Sequence, residues 1–202
     1  MRKCYTTDRM MVRLADPEFA DMTAEFFFRN RKMLERYEER RPEEFFCPEF
    51  QKIWLDIQRE NARKGEWYSY YLFEKRKPHT VIGTLSLSRI QYGNLCSGVL
   101  GYRIGGERQG EGFGTEAAKE GTRIGFEELS LHRMEADVMT ENRASLRILE
   151  KCGSKKRDIS GNISGSMVSG GSYSYGCHTC LRKTKNHDFS VVNQNEIAIM
   201  KK

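Results

Sequence analysis

Gly105-Gly106-Glu107-Arg108-Gln109-Gly110-Glu111-Gly112-Phe113-Gly114-Thr115 is the stretch that decides the fold. It marks a change of period: the residues before it alternate as a strand does, and those after it repeat as a helix does. Its glycines let the backbone take positive φ and come close to a ligand. Successive N–H groups that turn into a helix N-terminus form an anion site, which the aligned peptide dipoles strengthen. An anion bound there is held mainly by main chain, so the side chains of the turn need not be basic.

Upstream of the turn, residues 97–104, 80–90 and the aromatic-rich 67–73 read as strands, separated by Lys75-Arg76-Lys77-Pro78 and Tyr92-Gly93-Asn94. Short turns between three such runs predict an antiparallel meander. Further back, residues 9–14 suit a first strand, and Asp16-Pro17 opens a helix carrying Phe19, Met22, Phe26 and Met33. The run Phe26-Phe27-Phe28 is expected in the core. A second helix is predicted over 49–63, with Phe50, Ile53, Trp54 and Ile57 on one face and Gly65 after its end.

Downstream, Thr115 is an N-cap or first-turn residue of a helix whose apolar positions include Ala117, Ala118, Ile124, Phe126 and Leu129. Residues 132–140 alternate Met134, Ala136 and Val138 as a strand. Residues 141–152 form a last helix with Leu146, Ile148 and Leu149 inward and Gly153 as its C′ residue. The element order predicts an α/β (α+β) domain over 1–153, a mixed and mostly antiparallel sheet flanked by helices.

That setting separates the uses of a glycine-rich turn. A Walker loop closes on Gly-Lys-Ser/Thr, and Gly114-Thr115-Glu116 lacks the lysine. A dinucleotide-binding turn comes early in a βαβ unit, whereas three meander strands precede this one. A plain glycine-rich connection remains, but a strand-to-helix position favours anion binding.

Bulk properties agree with one soluble domain and an appendage. The chain has 202 residues, 38% of them hydrophobic and 31% charged. With no run near the roughly 18 apolar residues of a membrane span and no signal-peptide core, the expected location is cytoplasmic, away from membranes. Its six scattered cysteines read as reduced thiols. The net charge is +6, of which +5 lies from Ser154 onward, so the body is nearly neutral. A neutral body with a basic tail is a poor phosphate-backbone footprint, and no nucleic-acid partner is expected.

Gln109-Gly110-Glu111-Gly112-Phe113-Gly114 resembles the Gln/Arg-x-x-Gly-x-Gly/Ala signature of the GNAT superfamily of acetyltransferases. Asn142-Arg143-Ala144-Ser145-Leu146 followed by Leu149-Glu150-Lys151-Cys152-Gly153 is similar to a block of its ribosomal-protein alanine N-acetyltransferase branch. Phe28-Arg29-Asn30-Arg31, Leu100-Gly101-Tyr102 and Leu131-His132-Arg133-Met134-Glu135-Ala136 resemble the same branch, and the likeness covers residues 9–153.

The resemblance implies acetyl-CoA as cosubstrate and direct attack on its thioester by an amine while both are bound. That chemistry needs a deprotonated amine, an oxyanion donor and a proton for the thiolate. It implies that backbone N–H groups around Tyr102, Arg103 and Ile104 meet the carbonyl and the pantetheine where the sheet splays. The N–H groups of Gln109, Gly110, Glu111, Gly112, Phe113, Gly114 and Thr115 would hold the pyrophosphate. Asn142 would bond cofactor or strand, and Ser145 would relay a proton to the thiolate; ordinary helix capping explains both residues equally well. Tyr102 either lines the amine site or packs. Many relatives carry a glutamate where this chain has Val99, which leaves Glu107 and Glu141 as candidate bases, or a water relay. Arg29 and Arg31 could line the acceptor site. The acceptor implied is a primary amine, foremost the α-amine of a ribosomal or other protein N-terminus. A polyamine, an aminoglycoside or a free amino acid is the alternative, as is an impaired domain that only binds coenzyme A, and a monomer or homodimer is expected.

The family's last helix closes on Gly-Phe and two further strands follow, but here Gly153-Ser154 leads into a Gly/Ser-rich tail over 154–202. Residues 153–160 can be written GGA TCA AAA AAG AGG GAT ATT TCA. One T restored in the second codon gives Gly-Phe-Lys-Lys-Glu-Gly-Tyr-Phe. The same frame, carried through Ser169-Gly170, permits Arg-Glu-Tyr-Leu-Arg-Ile-Asn-Gly-Glu-Trp, a strand and turn of the expected kind. We read the tail as the product of a one-base deletion at codon 154. Cys177-His178-Thr179-Cys180 is then an accidental string; in any case a zinc site would need a second pair, and no metal site is predicted. Resequencing codon 154 and melting a frame-corrected chain test this. The corrected chain is expected to melt higher, and equal melting with an unbroken source frame would contradict the deletion.

Overall fold

Six strands lie in one sheet in chain order: β1 (Cys4–Thr6), β2 (Met10–Leu14), β3 (Tyr68–Glu74), β4 (Lys77–Gln91), β5 (Ser97–Ile104) and β6 (Arg133–Glu135). The structure, a computed structural model, describes residues 2–155. Strands β1 to β5 run antiparallel to their neighbours, and β6 runs parallel to β5. A parallel neighbour needs a long crossover, and the helix α3 (Phe113–Arg123) provides it.

Helices cover both faces of the sheet. Tyr68, Tyr70 and Leu72 of β3 share one core with Phe113, Ala117 and Ala118 of α3. Tyr71 and Phe73 point the other way, into a core with Phe19, Phe26, Phe27 and Leu55. The helices on that side are α1 (Ala20–Leu34) and α2 (Pro48–Lys64), while α4 (Arg143–Lys151) packs beside α3. This two-sided burial is why 67–73 reads as an aromatic-rich run without polar alternation. Leu72 on one face and Phe73 on the other each contribute about 1.5–3 kcal/mol on leaving water, and β3 joins the two layers.

The expected starts and stops are present. Asp16 accepts a hydrogen bond from the Glu18 N–H ahead of α1, and Pro17 stands in the first turn. Gly65 closes α2 at φ +77, and Gly153 follows α4 at φ +75. Thr115 lies in the first turn of α3, whose N-cap is Gly112. The helix predicted onward to Leu129 changes at Ile124–Glu128 to one wide π turn.

Three expectations change, and one strand is new. The stripe Phe50, Ile53, Trp54 and Ile57 of α2 does not face the core, since Ile53 is 66% exposed. The buried face is instead Gln51, Leu55, Gln58 and Ala62. Two glutamines are accommodated there by partners: Gln51 donates to the Phe45 carbonyl and Gln58 accepts from the Tyr71 hydroxyl. Phe28 likewise turns outward, 65% exposed, while Phe26 and Phe27 are buried. The strand expected over 132–140 is paired only at Arg133–Glu135, because β5 diverges from it past Val99. β1, three residues long, is too short to show alternation and was not anticipated.

No helix among the described residues is long and apolar enough to cross a membrane. The expected tail, with Cys177-His178-Thr179-Cys180 and the reading-frame change, lies outside the described residues from 156 onward.

Candidate functional site

The site begins where two strands part. β6 pairs with β5 only at Ser97, Gly98 and Val99. On its other side β5 stays paired with β4, Tyr102 opposite Leu85 and Ile104 opposite Gly83, and Gly105 N–H donates to the Ile82 carbonyl at 2.9 Å. Antiparallel pairing alternates, so the N–H groups of Gly101, Arg103 and Gly105 face β4. Those of Leu100, Tyr102 and Ile104 therefore face away from it, into the gap that β6 has left. Of the three residues expected to donate there, Tyr102 and Ile104 are oriented for it and Arg103 is not. The Arg103 guanidinium pairs instead with both carboxylate oxygens of Glu38, beyond the end of α1.

The floor of the gap is built from Ala136, Val138 and Leu149, with Leu146 and Tyr102 against them. The Tyr102 hydroxyl lies 2.8 Å from Ser145 Oγ and donates to the Ser145 carbonyl at 3.2 Å. Burial pushes the Tyr102 phenol up to about 12, against a smaller lowering by the Ser145 hydrogen bond. Asn142 is the N-cap of α4, its Oδ1 accepting the Ser145 N–H at 3.1 Å. The capping expected of Asn142 is thus present, while the Ser145 hydroxyl meets Tyr102.

The glycine-rich turn continues from β5. Gly110 and Gly112 take φ +80 and +87, which explains glycine at both. Among the described residues, no protein acceptor takes the N–H groups of Gly110, Glu111, Gly112, Phe113, Gly114 or Thr115. The last three are the free first-turn donors of α3. The Gln109 N–H bonds back to the Gly106 carbonyl at 3.3 Å and so stands outside that set. A Cβ at Gly110 would meet nothing within 4 Å, whereas one at Gly114 would meet Ile148 Cδ1 at 2.6 Å. Gly110 borders open space, and Gly114 allows α3 and α4 to pack closely.

Side chains pin this turn from behind. Glu116 accepts from the Thr7 hydroxyl at 2.5 Å, from Arg9 N–H at 2.9 Å and from Arg9 Nε at 2.8 Å. Arg9 also donates to the Glu111 carbonyl at 2.9 Å and lies 4.1 Å over the Phe113 ring. Burial raises the Glu116 carboxyl, but the bonds from Thr7 and Arg9 outweigh it and hold it below the usual carboxylate range. From α1, Asn30 Oδ1 accepts the Gly106 N–H at 2.8 Å. Sequence reasoning assigned no role to Asn30, Arg9 or Glu116. Their signals were faint: Asn30 stood inside a quoted motif, and Arg9 and Glu116 are 107 positions apart.

Neither candidate base hydrogen-bonds to Tyr102 or Ser145. Glu107 is exposed and pairs with Arg29 at 3.7 Å, and Glu141 accepts from the Thr140 hydroxyl at 3.0 Å. Arg29 pairs also with Glu25, and Arg31 with Glu35 and Glu43. Across from Val99, in register, stands Glu135, ion-paired with Arg133.

Comparison with known proteins gives this geometry a context. The family model described as Acetyltransferase (GNAT) domain matches residues 9–155. The chain is 35% identical over 130 residues to the Probable N-acetyltransferase YjcK of Bacillus subtilis (strain 168), covering 64% of this chain and 71% of that protein. It is 30% identical over 151 residues to the [Ribosomal protein uS5]-alanine N-acetyltransferase of Escherichia coli (strain K12), covering 75% and 77%. The crystal structure of ribosomal-protein-S5-alanine acetyltransferase from Vibrio fischeri superposes with TM-score 0.76 at 26% identity, over 93% of this chain and 99% of that one.

Glu116 makes the support of the turn testable by pH. Its folded pKa is depressed, so its contribution is complete above the ordinary carboxylate value, about 4.3, and is lost as pH falls through the lower folded value. Glu116→Gln is expected to lower stability by about 1–3 kcal/mol at neutral pH and to flatten the acid limb of the melting profile. An unchanged neutral melting temperature would contradict the anchoring role.

Proposed function

The chain belongs to the GNAT acetyltransferase family, and on that premise we propose that it transfers an acetyl group from acetyl-CoA to the N-terminal α-amine of a protein or peptide. One observation carries the reading: outward-facing N–H groups of Tyr102 and Ile104 continue into six unpartnered N–H groups at 110–115. Such a row of donors fits a ligand that is amide-bearing at one end and doubly anionic at the other. The open space at Gly110 leaves room for it.

Bound acetyl-CoA supplies the thioester carbonyl that the amine attacks. The Tyr102 and Ile104 N–H groups pair with the pantetheine amides as a neighbouring strand would, and an edge N–H holds the charge that develops on the carbonyl oxygen. Gly110, Glu111, Gly112, Phe113, Gly114 and Thr115 hold the pyrophosphate through main chain, with the N-terminus of α3 behind it. Ser145 donates a proton to the departing thiolate, Tyr102, 2.8 Å away, returns one to Ser145, and water carrying the proton released by the amine restores the Tyr102 hydroxyl. Asn142 fixes Ser145 by capping α4. Glu107 is paired with Arg29 and Glu141 with the Thr140 hydroxyl, so the amine proton leaves through water.

The acceptor belongs with the relatives that the chain resembles, one of which is named for ribosomal protein uS5 alanine. Arg29, beside Glu107, and Arg31, beside Glu43, are the cations of α1 that such an acceptor would meet. A panel of Ala-starting peptides against a polyamine and an aminoglycoside tests this choice, and the peptides are expected to turn over fastest.

Ser145→Ala and Tyr102→Phe test the proton route. Each is expected to lower kcat about 100-fold while the KM for acetyl-CoA stays nearly unchanged. Because the Tyr102 phenol is pushed up to about 12, its loss as a donor should not limit the rate at any ordinary alkaline pH. Unchanged kcat in both variants, with lower melting temperatures, would reduce the pair to packing.

A further inference from the structure

Asn30 is a buried polar residue in the middle of α1, 5% exposed, where asparagine is a poor helix former. Its Nδ2 donates to the Phe26 carbonyl at 2.8 Å, one turn back. Its Oδ1 is then aimed out of the helix and accepts the Gly106 N–H at 2.8 Å. A Cβ built on Gly105 would meet Asn30 Nδ2 at 3.3 Å and Oδ1 at 3.4 Å. The amide thus fills the corner between β5 and the glycine-rich turn, and Gly105 leaves the room for it.

The same stretch of α1 touches the turn twice more. Arg29 pairs with Glu107 at 3.7 Å, and Gln109 Nε2 lies 3.2 Å from the Met33 sulfur. Beyond the helix, Glu38 holds Arg103. The chain from Arg103 to Gln109 is therefore attached to the α1 side along its length, and among the described residues Asn30 makes the one hydrogen bond from α1 to its backbone.

We propose that Asn30 is a positioning residue for acetyl-CoA: by holding Gly106 it sets the angle between the β5 edge and the 110–115 turn, so that both rows of donors meet one ligand. This rests on the reading of that turn as the coenzyme A site. Ile104, whose N–H faces the gap, is two residues before Gly106, and Gly110 is four residues after it. Loss of the Asn30 acceptor leaves the Gly106 N–H without a protein partner and frees the joint from α1 at that point.

Titration of the full chain with free coenzyme A by calorimetry, beside melting curves, tests this in two variants. Asn30→Leu keeps the branched shape and removes both hydrogen bonds, and it is expected to bind coenzyme A roughly tenfold more weakly. Asn30→Asp keeps an acceptor for Gly106 and is expected to recover most of that loss, although its charge opposes the phosphates. If Asn30→Leu melts lower yet binds within about twofold of the parent, the residue is only structural and the proposal falls. It falls equally if Asn30→Asp binds no better than Asn30→Leu. A parent chain that does not bind coenzyme A overturns the reading of the turn itself, an outcome distinct from the other two.

Discussion

Everything at this site follows from the separation of β5 and β6 after Val99. A paired strand spends its N–H groups on its neighbour, and a parted one leaves them to be satisfied by something else. The parting is held open from within. Tyr102 reaches Ser145 on α4, while Ala136, Val138, Leu146 and Leu149 fill the floor where ladder bonds would otherwise continue. Closing the sheet would require those side chains to leave a packed core. The gap is thus a consequence of apolar packing, and its walls are backbone donors.

The turn that follows obeys the same economy. Asn30, Arg9, Thr7 and Glu116 attach it through the Gly106 N–H, the Glu111 carbonyl and the α3 side chain, and none of them uses a donor of the 110–115 row. Rigidity comes from behind while the front stays free. Positive φ at Gly110 and Gly112 turns the chain so that its N–H groups run on into the first turn of α3. Electrostatic help then comes from the helix terminus, not from a basic side chain.

Much of this was legible in the sequence, and the reasons are local. The meander, the strand-to-helix turn and the end of α4 at Gly153 each rest on short-range period or on a residue whose φ is constrained. The face of α2 was not legible, because Gln51 and Gln58 are buried by virtue of partners on Phe45 and Tyr71 that only the fold brings near. The end of β6 was invisible for a related reason: Ala136 and Val138 alternate like a strand but are buried against α4 instead of paired. Among site residues, the glycines announced themselves, since backbone geometry alone explains them. Asn30 and the Arg9–Glu116 pair did not, because their meaning lies in contacts across 76 and 107 positions. Asn142 and Ser145 were legible as a pair; the contact of Ser145 with Tyr102 was not.

The central claim is that main-chain donors on two connected elements bind one coenzyme A. Amide NMR of the labelled chain during titration with coenzyme A measures it directly. The N–H signals of Tyr102, Ile104, Gly110, Gly112 and Gly114 are expected to shift together with one saturation curve, while those of Gly101 and Arg103, turned toward β4, move little. Saturable binding that leaves the Gly110, Gly112 and Gly114 amides where they were would contradict the account.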